Sequence, residues 1–281
     1  MYGVFCLCNN TFMKKNIIIT GSTSGIGKEL VRIFAKDGSY HVFAGYRNKD
    51  LIERIDNVEY FYIDMKISDS IKEAANFIKS NTDKIDILIN VAGCVVAGPI
   101  EKIPTDKLRE QFEVNTFSHI EFTQNLVEVL ENGRIINISS MASFGHFPFI
   151  SPYCASKRAL DIFFNAFALE NYKNIKVISV KPGVIATPIW KKSVETNEKL
   201  LNDCADYEKE MCFMKKNALS NTDKGLDVLK AAKMIKLISE KKNPKASYTL
   251  GKDAAFARIL SLFSQDVINK LVSIGLKSRI K

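Results

Sequence analysis

None of the six cysteines forms a C-x-x-C pair, and none stands with a histidine at the spacing a zinc site needs. Structural zinc and dithiol redox chemistry therefore drop out, and no metal is expected. The chain also lacks an apolar run of the ~18 residues that a membrane span requires. It has no internal repeat, no low-complexity tract and no Pro/Gly linker, so a single domain is expected. Acid is in short supply: 31 acidic against 40 basic residues leave a net charge of +9. No dense basic arm results, because the lysines lie in scattered pairs such as Lys14-Lys15, Lys191-Lys192, Lys215-Lys216 and Lys241-Lys242. That pattern reads as a solvated surface and not as a nucleic-acid face. Scattered single thiols suit a reducing compartment, and a cytoplasmic location is expected. The opening "MYGVFCLCNNTF" is apolar but lacks the basic flank and the small-residue cleavage site of a signal peptide. Residues 1–12 are expected to be a disordered extension, with Met13 as the functional start and the domain running over 13–281.

What the chain does have is an alternation. Short β-branched runs at 16–20 ("NIIIT"), 40–45, 58–63, 85–90, 134–139, 176–180 and, more weakly, 247–251 are separated by helix-length stretches. The helical stretches carry apolar residues at a 3.6-residue period. Leu160, Phe163, Phe164 and Phe167 form one such stripe within 152–171, and a long helix is expected over 105–131. Near-continuous apolar strands alternating with helices predict an α/β fold: a doubly wound parallel sheet of the Rossmann type with about seven strands. Residues 188–245 break the rhythm. They are rich in Lys, Glu and Asn, and are expected to be a helical lid inserted at the carboxyl end of the sheet.

"TGSTSGIG" at 20–27 follows the first strand and opens the first helix. Glycines there allow a tight turn and close backbone approach to a pyrophosphate, which would sit at the positive end of the helix. A nucleotide-triphosphatase P-loop does not fit, because Ser22 stands where its first glycine belongs and Glu29 replaces its hydroxyl. About twenty residues on, a dinucleotide fold places the group that reads the adenosine ribose. The chain offers "GYRN" there, with Arg47 and no carboxylate until Asp50. A guanidinium grips a phosphate in bidentate fashion, so NADP(H) is expected over NAD(H).

"YCASK" at 153–157 puts a tyrosine and a lysine one helical turn apart. Alone, such a pair is commonly an ordinary surface feature. Together, "TGSTSGIG", "NVAG" (90–93), Asn115, Ser140, "YCASK" and "KPGVIATP" (181–188) resemble the short-chain dehydrogenase/reductase family in order and spacing over residues 14–190. A narrower likeness, in "ATPIWKKS" and "YTLGKDA", is to hydroxysteroid- and retinol-type dehydrogenases. The resemblance implies that Tyr153, Lys157, Ser140 and Asn115 are catalytic, Asn115 through a water linked to Lys157. It implies that Gly21, Ser22, Ser24, Gly25, Ile26 and Gly27 hold the cofactor's phosphates, and that Asp64 meets the adenine. Asn90, Ala92 and Gly93, with Pro182, Gly183 and Thr187, would serve the rest of the cofactor, as Lys157 would its ribose. Val91 departs from the family's usual second asparagine. On chemical grounds, the Tyr153 phenol can give a reduced carbonyl its proton, and a neighbouring ammonium would favour the phenolate. Ser140, which the resemblance's spacing favours over the competing Ser139, can stabilise charge on the carbonyl oxygen.

Between Ser140 and Tyr153 lie Phe144, Phe147 and Phe149, and "CVVAGPI" (94–100) leaves the fourth strand. Both segments are expected to line a pocket for a lipophilic ketone, aldehyde or alcohol. A 3-oxoacyl-carrier-protein reductase is the alternative, and a non-catalytic NADP-sensing protein a more distant one. The family's helix pairing implies a homodimer or homotetramer. The apolar tail is expected to dock on the domain as a terminal helix, with contact to a membrane surface as the other reading.

Overall fold

The computed structural model describes residues 14–202 and 204–280. The extension expected over 1–12 lies outside the described residues.

Seven parallel strands form one sheet in the order β3-β2-β1-β4-β5-β6-β7. They are β1 (Lys15–Ile19), β2 (Tyr40–Tyr46), β3 (Val58–Tyr62), β4 (Ile87–Asn90), β5 (Arg134–Ile138), β6 (Lys176–Pro182) and β7 (Ser247–Leu250). Each falls within a few residues of its sequence expectation, including the weak seventh. Ile17, Ile18 and Ile19 are all fully buried, which is why their run reads as continuously apolar. Alternation still operates: Ile17 and Ile19 face one layer of the core, and Ile18 faces the other. Each such side chain contributes roughly 1.5–3 kcal/mol by leaving water.

Helix α1 (Gly25–Lys36) covers the first face with α9 (Val228–Ser239). On the other face lie α2 (Ser68–Asn81), α3 (Thr105–Phe112), α4 (Ser118–Leu126) and α5 (Ser151–Glu170). The single helix expected over 105–131 is broken: a five-residue π turn, Glu113–Phe117, separates α3 from α4. The lid is also shorter than expected. It comprises α6 (Ile189–Thr196), α7 (Glu198–Asn202), a 3₁₀ turn at Ala205–Tyr207 and α8 (Glu208–Lys224). Helix α9 falls inside the expected lid but belongs to the core, because Ala231, Ala232, Ile235 and Ile238 form a buried stripe that packs with α1 residues. The chain ends in α10 (Lys252–Leu260) and α11 (Gln265–Ile280).

The strand order reverses direction between β1 and β4. Loops diverge there at the carboxyl edge of the sheet, which leaves a crevice for a ligand.

Candidate active site

The glycine loop is built so tightly that side chains are excluded. Gly21 and Gly25 have φ of 63° and 52°, in the left-handed region. A Cβ at Gly27 would lie 2.2 Å from the Gly21 carbonyl oxygen. Ser24 caps α1 in an extended conformation without using its side chain, and no acidic residue occupies the first turn of the helix. The amino end of α1 thus keeps its N–H groups and its hydroxyl for an anion, and the loop fits a dinucleotide pyrophosphate. Ser22 is used otherwise than expected. Its buried hydroxyl donates to the Gly45 carbonyl at 2.8 Å, which pins the loop to β2.

Thr20 joins this loop to the next one. Its hydroxyl oxygen accepts from the N–H groups of Val91 and Ala92 at 2.9 and 3.2 Å. Asn90 corrects its expected role. It is buried in β4, and its amide donates to Asn137 Oδ1 of β5 at 2.8 Å, so its side chain faces the sheet and not the crevice. Arg47 is exposed just past β2 and forms no ion pair among the described residues. Asp64 follows β3; one carboxylate oxygen accepts from Lys66 N–H at 3.0 Å in a local turn. On the opposite wall, Thr187 is buried, and its side chain lies 3.3 Å from the position a Cβ would take at Gly25. Pro182 ends β6, and Gly183 leaves room for Asp253, whose carboxylate accepts from Val184 N–H at 2.6 Å. Ile26 follows Gly25 in the first turn of α1 and packs against the core.

The expected catalytic group converges. Tyr153 and Lys157 lie in the first two turns of α5, both buried. Ser140 opens a 3₁₀ turn, Met141–Phe144, and its Oγ accepts from Ala142 N–H at 3.1 Å. Lys157 Nζ donates to the Ile138 carbonyl at 2.9 Å. A Cβ on Gly93 would sit 3.3 Å from Asn115 Oδ1 and 3.6 Å from Lys157 Nζ, so glycine lets these three elements meet.

Asn115 sits in the π turn, a break in the helical ladder that often marks functional positions. Its side chain makes three hydrogen bonds. Oδ1 accepts from Cys94 N–H at 2.9 Å, and Nδ2 donates to the Cys94 carbonyl at 3.0 Å and to Ser156 Oγ at 3.1 Å. These three bonds tie the loop after β4 to α5.

Burial governs the proton affinities. It pushes the Tyr153 phenol up to about 12, against the opposing pull of the Ser140 hydroxyl beside it. It pulls the Lys157 ammonium down to about 8, against the Asp161 carboxylate. The expectation that Lys157 would favour the phenolate is thus outweighed by desolvation. Lys157 aims its charge at a strand carbonyl and is itself starved of water.

Several participants escaped the sequence reading. His119 is fully buried, and its Nε2–H donates to the Ala92 carbonyl at 2.9 Å. Gln111 and Asn197 brace the loop over 94–97 from two sides, Gln111 through Val96 N–H at 2.6 Å and Asn197 through the Val95 carbonyl at 2.9 Å. Amides inside apolar-periodic helices were the signal for them. The three phenylalanines separate. Phe147 packs beside Tyr153 with Val95, Ile150 and Ile189, whereas Phe149 joins the lid cluster of Cys204 and Met211. Phe144 lies under Lys181 Nζ, 4.5 Å from the ring centre. Among the described residues, no three metal-binding side chains converge.

Comparison with known proteins agrees with this arrangement. A sequence model described as short chain dehydrogenase matches residues 15–198. A protein of Helicobacter pylori described as a probable short-chain type dehydrogenase/reductase, VdlC, is 31% identical over 270 residues, covering 92% of this chain and 98% of its own. An NADPH-dependent 3-dehydrocapnine reductase of Ornithobacterium rhinotracheale is 32% identical over 191 residues, 63% of this chain and 67% of its own. Among solved structures, a short chain dehydrogenase of Burkholderia cenocepacia in complex with NADP superposes with a TM-score of 0.72 at 20% identity, covering 92% of this chain and 98% of that one.

Proposed function

The chain belongs to the short-chain dehydrogenase/reductase family, a class of nicotinamide-dependent oxidoreductases of alcohols and carbonyls, and from that premise we propose that it reduces a lipophilic ketone or aldehyde with NADPH. The observation that carries the substrate class is the apolar cluster packed around Tyr153, of Val95, Ala142, Phe147, Ile150, Cys154 and Ile189, with the Ser140 hydroxyl as the polar group beside the phenol. A polar sugar there would leave its hydroxyls unpaired.

The cofactor supplies hydride to the carbonyl carbon. Tyr153 gives the carbonyl oxygen its proton. A phenol held at about 12 stays protonated at neutral pH, the form a general acid requires. Ser140 donates a hydrogen bond to the same oxygen as charge builds on it. Lys157 lies one turn along α5 and, below pH 8, is an ammonium that restores the tyrosine's proton and binds the cofactor's ribose. Asn115 and Ser156 hold α5 in register, since Ser156 Oγ also donates to the Tyr153 carbonyl at 2.9 Å. Arg47, exposed and without a carboxylate partner among the described residues, binds the 2′-phosphate, in keeping with the Ornithobacterium relative's NADPH dependence. NAD(H) is the weaker cofactor. Asp64, with one oxygen left over from its turn, meets the adenine.

Exposed Phe117, Ile162, Phe163 and Leu169 on the π turn and α5 support pairing into a homodimer or homotetramer. Free cysteines at 94, 154, 204 and 212 support a cytoplasmic location. No helix among the described residues is long and apolar enough to cross a membrane.

The test is a panel of ketones and aldehydes graded in chain length, with an acyl-carrier-protein thioester among them, read as NADPH oxidation beside Tyr153→Phe. Turnover that rises with apolar length and vanishes in the variant is expected. Turnover confined to the carrier-bound substrate, or none despite tight NADPH binding, overturns the reading.

A further inference from the structure

Helices α10 and α11 carry apolar side chains where nothing among the described residues covers them. Helix α10 turns only Ala254 and Ala257 inward. Its opposite face, continued past its end, presents Phe256, Ile259 and Phe263, exposed by 67%, 58% and 54%, with Leu262 82% exposed beside them. In α11, Ile268 alone among the described side chains is buried, and Val267, Leu271 and Ile274 are exposed by 41–56%. The tail docks on the domain by one side only, through buried Ile268 and the Asn269 contact to His146, and leaves these faces open. Spacings of i, i+3, i+7 and i, i+4, i+7 make each set a continuous stripe.

The charges bordering these stripes are positive. Lys252, Arg258 and Lys270 are exposed. Of the two aspartates, Asp253 is tied to Val184 N–H, which leaves Asp266 as the opposing charge. We propose that the α10–α11 face docks on an anionic phospholipid surface, the helices lying in the interfacial plane with their apolar stripes among the acyl chains. An apolar face edged by cations is the composition of interfacial helices, and anionic headgroups complement it. A second copy of the chain is the poorer occupant, because a two-fold contact would set these cations near their own equivalents. His146 adds a connection. Its Nε2 lies 2.8 Å from Asn269 Oδ1 of α11, which joins the docking face to the loop that carries Phe147. A substrate dissolved in the bilayer would then enter beside Tyr153; this last step rests on the proposed function, whereas the docking does not.

Vesicle flotation tests the proposal. The full chain is mixed with vesicles of phosphatidylcholine alone, or of phosphatidylcholine with about a third phosphatidylglycerol, an anionic fraction chosen to give a strongly negative surface. It is compared with the triple variants F256S/I259S/F263S and K252E/R258E/K270E. Flotation with the anionic vesicles only, reduced about tenfold or more in both variants, is expected. Turnover of a water-soluble ketone and the melting temperature should stay as in the parent, so an error in the catalytic reading would show separately. Absence of flotation, equal flotation with neutral vesicles, or a solution mass that halves in the serine variant without any vesicle binding overturns the proposal.

Discussion

Asp161 and Lys181 face each other across the core, Lys181 Nζ lying 2.8 Å from Asp161 Oδ2 with side chains only 2% and 8% exposed. Asp161 stands one turn beyond Lys157 on α5, and Lys181 immediately precedes Pro182 and Gly183 on β6. Ser179 Oγ donates to the other carboxylate oxygen at 2.5 Å. Two buried charges attract strongly, but each also loses its hydration, so the intact pair adds little net stability. Breaking it is another matter. Asp161→Ala strands an ammonium in the core and should cost about 3–5 kcal/mol, whereas Asp161→Leu with Lys181→Leu should recover much of that loss. Urea denaturation of these two variants and the parent checks this; a double variant no more stable than Asp161→Ala would disprove the coupling.

The same carboxylate holds the Lys157 ammonium up against the depressing effect of burial. The stability consequence follows from linkage. Lys157 titrates at about 8 in the fold, below the ordinary lysine value of 10.5, so the unfolded chain binds more protons between those two values. Stability should therefore rise with pH across that window, and below pH 8 the full cost of the buried charge is present. Lys157→Met removes this cost. The variant should be more stable than the parent at pH 7, with the gap closing toward pH 10, while NADPH oxidation collapses. Melting curves at several pH values read the first effect. In the parent, turnover in the reductive direction should decline above about pH 8 as the ammonium is lost.

How far the sequence could reveal this arrangement depended on whether the cause was local. The β-branched run at Ile17–Ile19 and the glycines at 21, 25 and 27 each carry their own reason for strand or turn, so both were legible. The partnership of Asp161 with Lys181 was not, since it joins residues on separate elements that only the β5–β6 crossover brings together. Its traces were an acid on an apolar helix face and a lysine in an apolar strand. The π turn at Asn115 was hidden because its residues read as ordinary helix; tertiary bonds from Cys94 and Ser156 accompany it. Helix α9 reads as lid because lysines surround it, although its alanine-isoleucine stripe is visible in the sequence.

Tyr153→Phe keeps the ring that packs with Val95 and Phe147 and removes the proton. Turnover should fall by about 10²–10⁴, the range for loss of a general acid, with NADPH affinity changed only a few-fold. Rapid-mixing kinetics and a cofactor titration separate the two quantities. An equal fall in affinity would assign the hydroxyl to cofactor binding instead.

Arg47→Asp should reverse the cofactor preference. A charge-assisted hydrogen bond contributes about 1.5–3 kcal/mol, so its loss alone lowers kcat/KM for NADPH about ten- to hundredfold. The new carboxylate repels the 2′-phosphate and accepts from a 2′-hydroxyl, which favours NADH. The ratio of the two specificity constants is the readout, and an unchanged ratio would move phosphate recognition elsewhere, Lys28 in α1 being one candidate cation. That residue is less suited, because Glu53 lies 3.1 Å from its Nζ and already pairs with Arg32.

Gly27→Ala tests whether the glycine loop is shaped for close approach or is merely a turn. The added methyl would overlap the Gly21 carbonyl oxygen at 2.2 Å, a backbone atom that cannot swing aside as a side chain can. Either α1 backs away from β1 or the loop opens, and overpacking of this kind costs about 1–3 kcal/mol. Gly21 also faces Ala92, so displacement should spread to the loop that holds Gly93 against Lys157. The expected result is a chain that still folds, melts several degrees lower and loses NADPH binding. A variant that binds NADPH normally would show that the pyrophosphate does not rest on this loop, and the assignment of the crevice would fall with it.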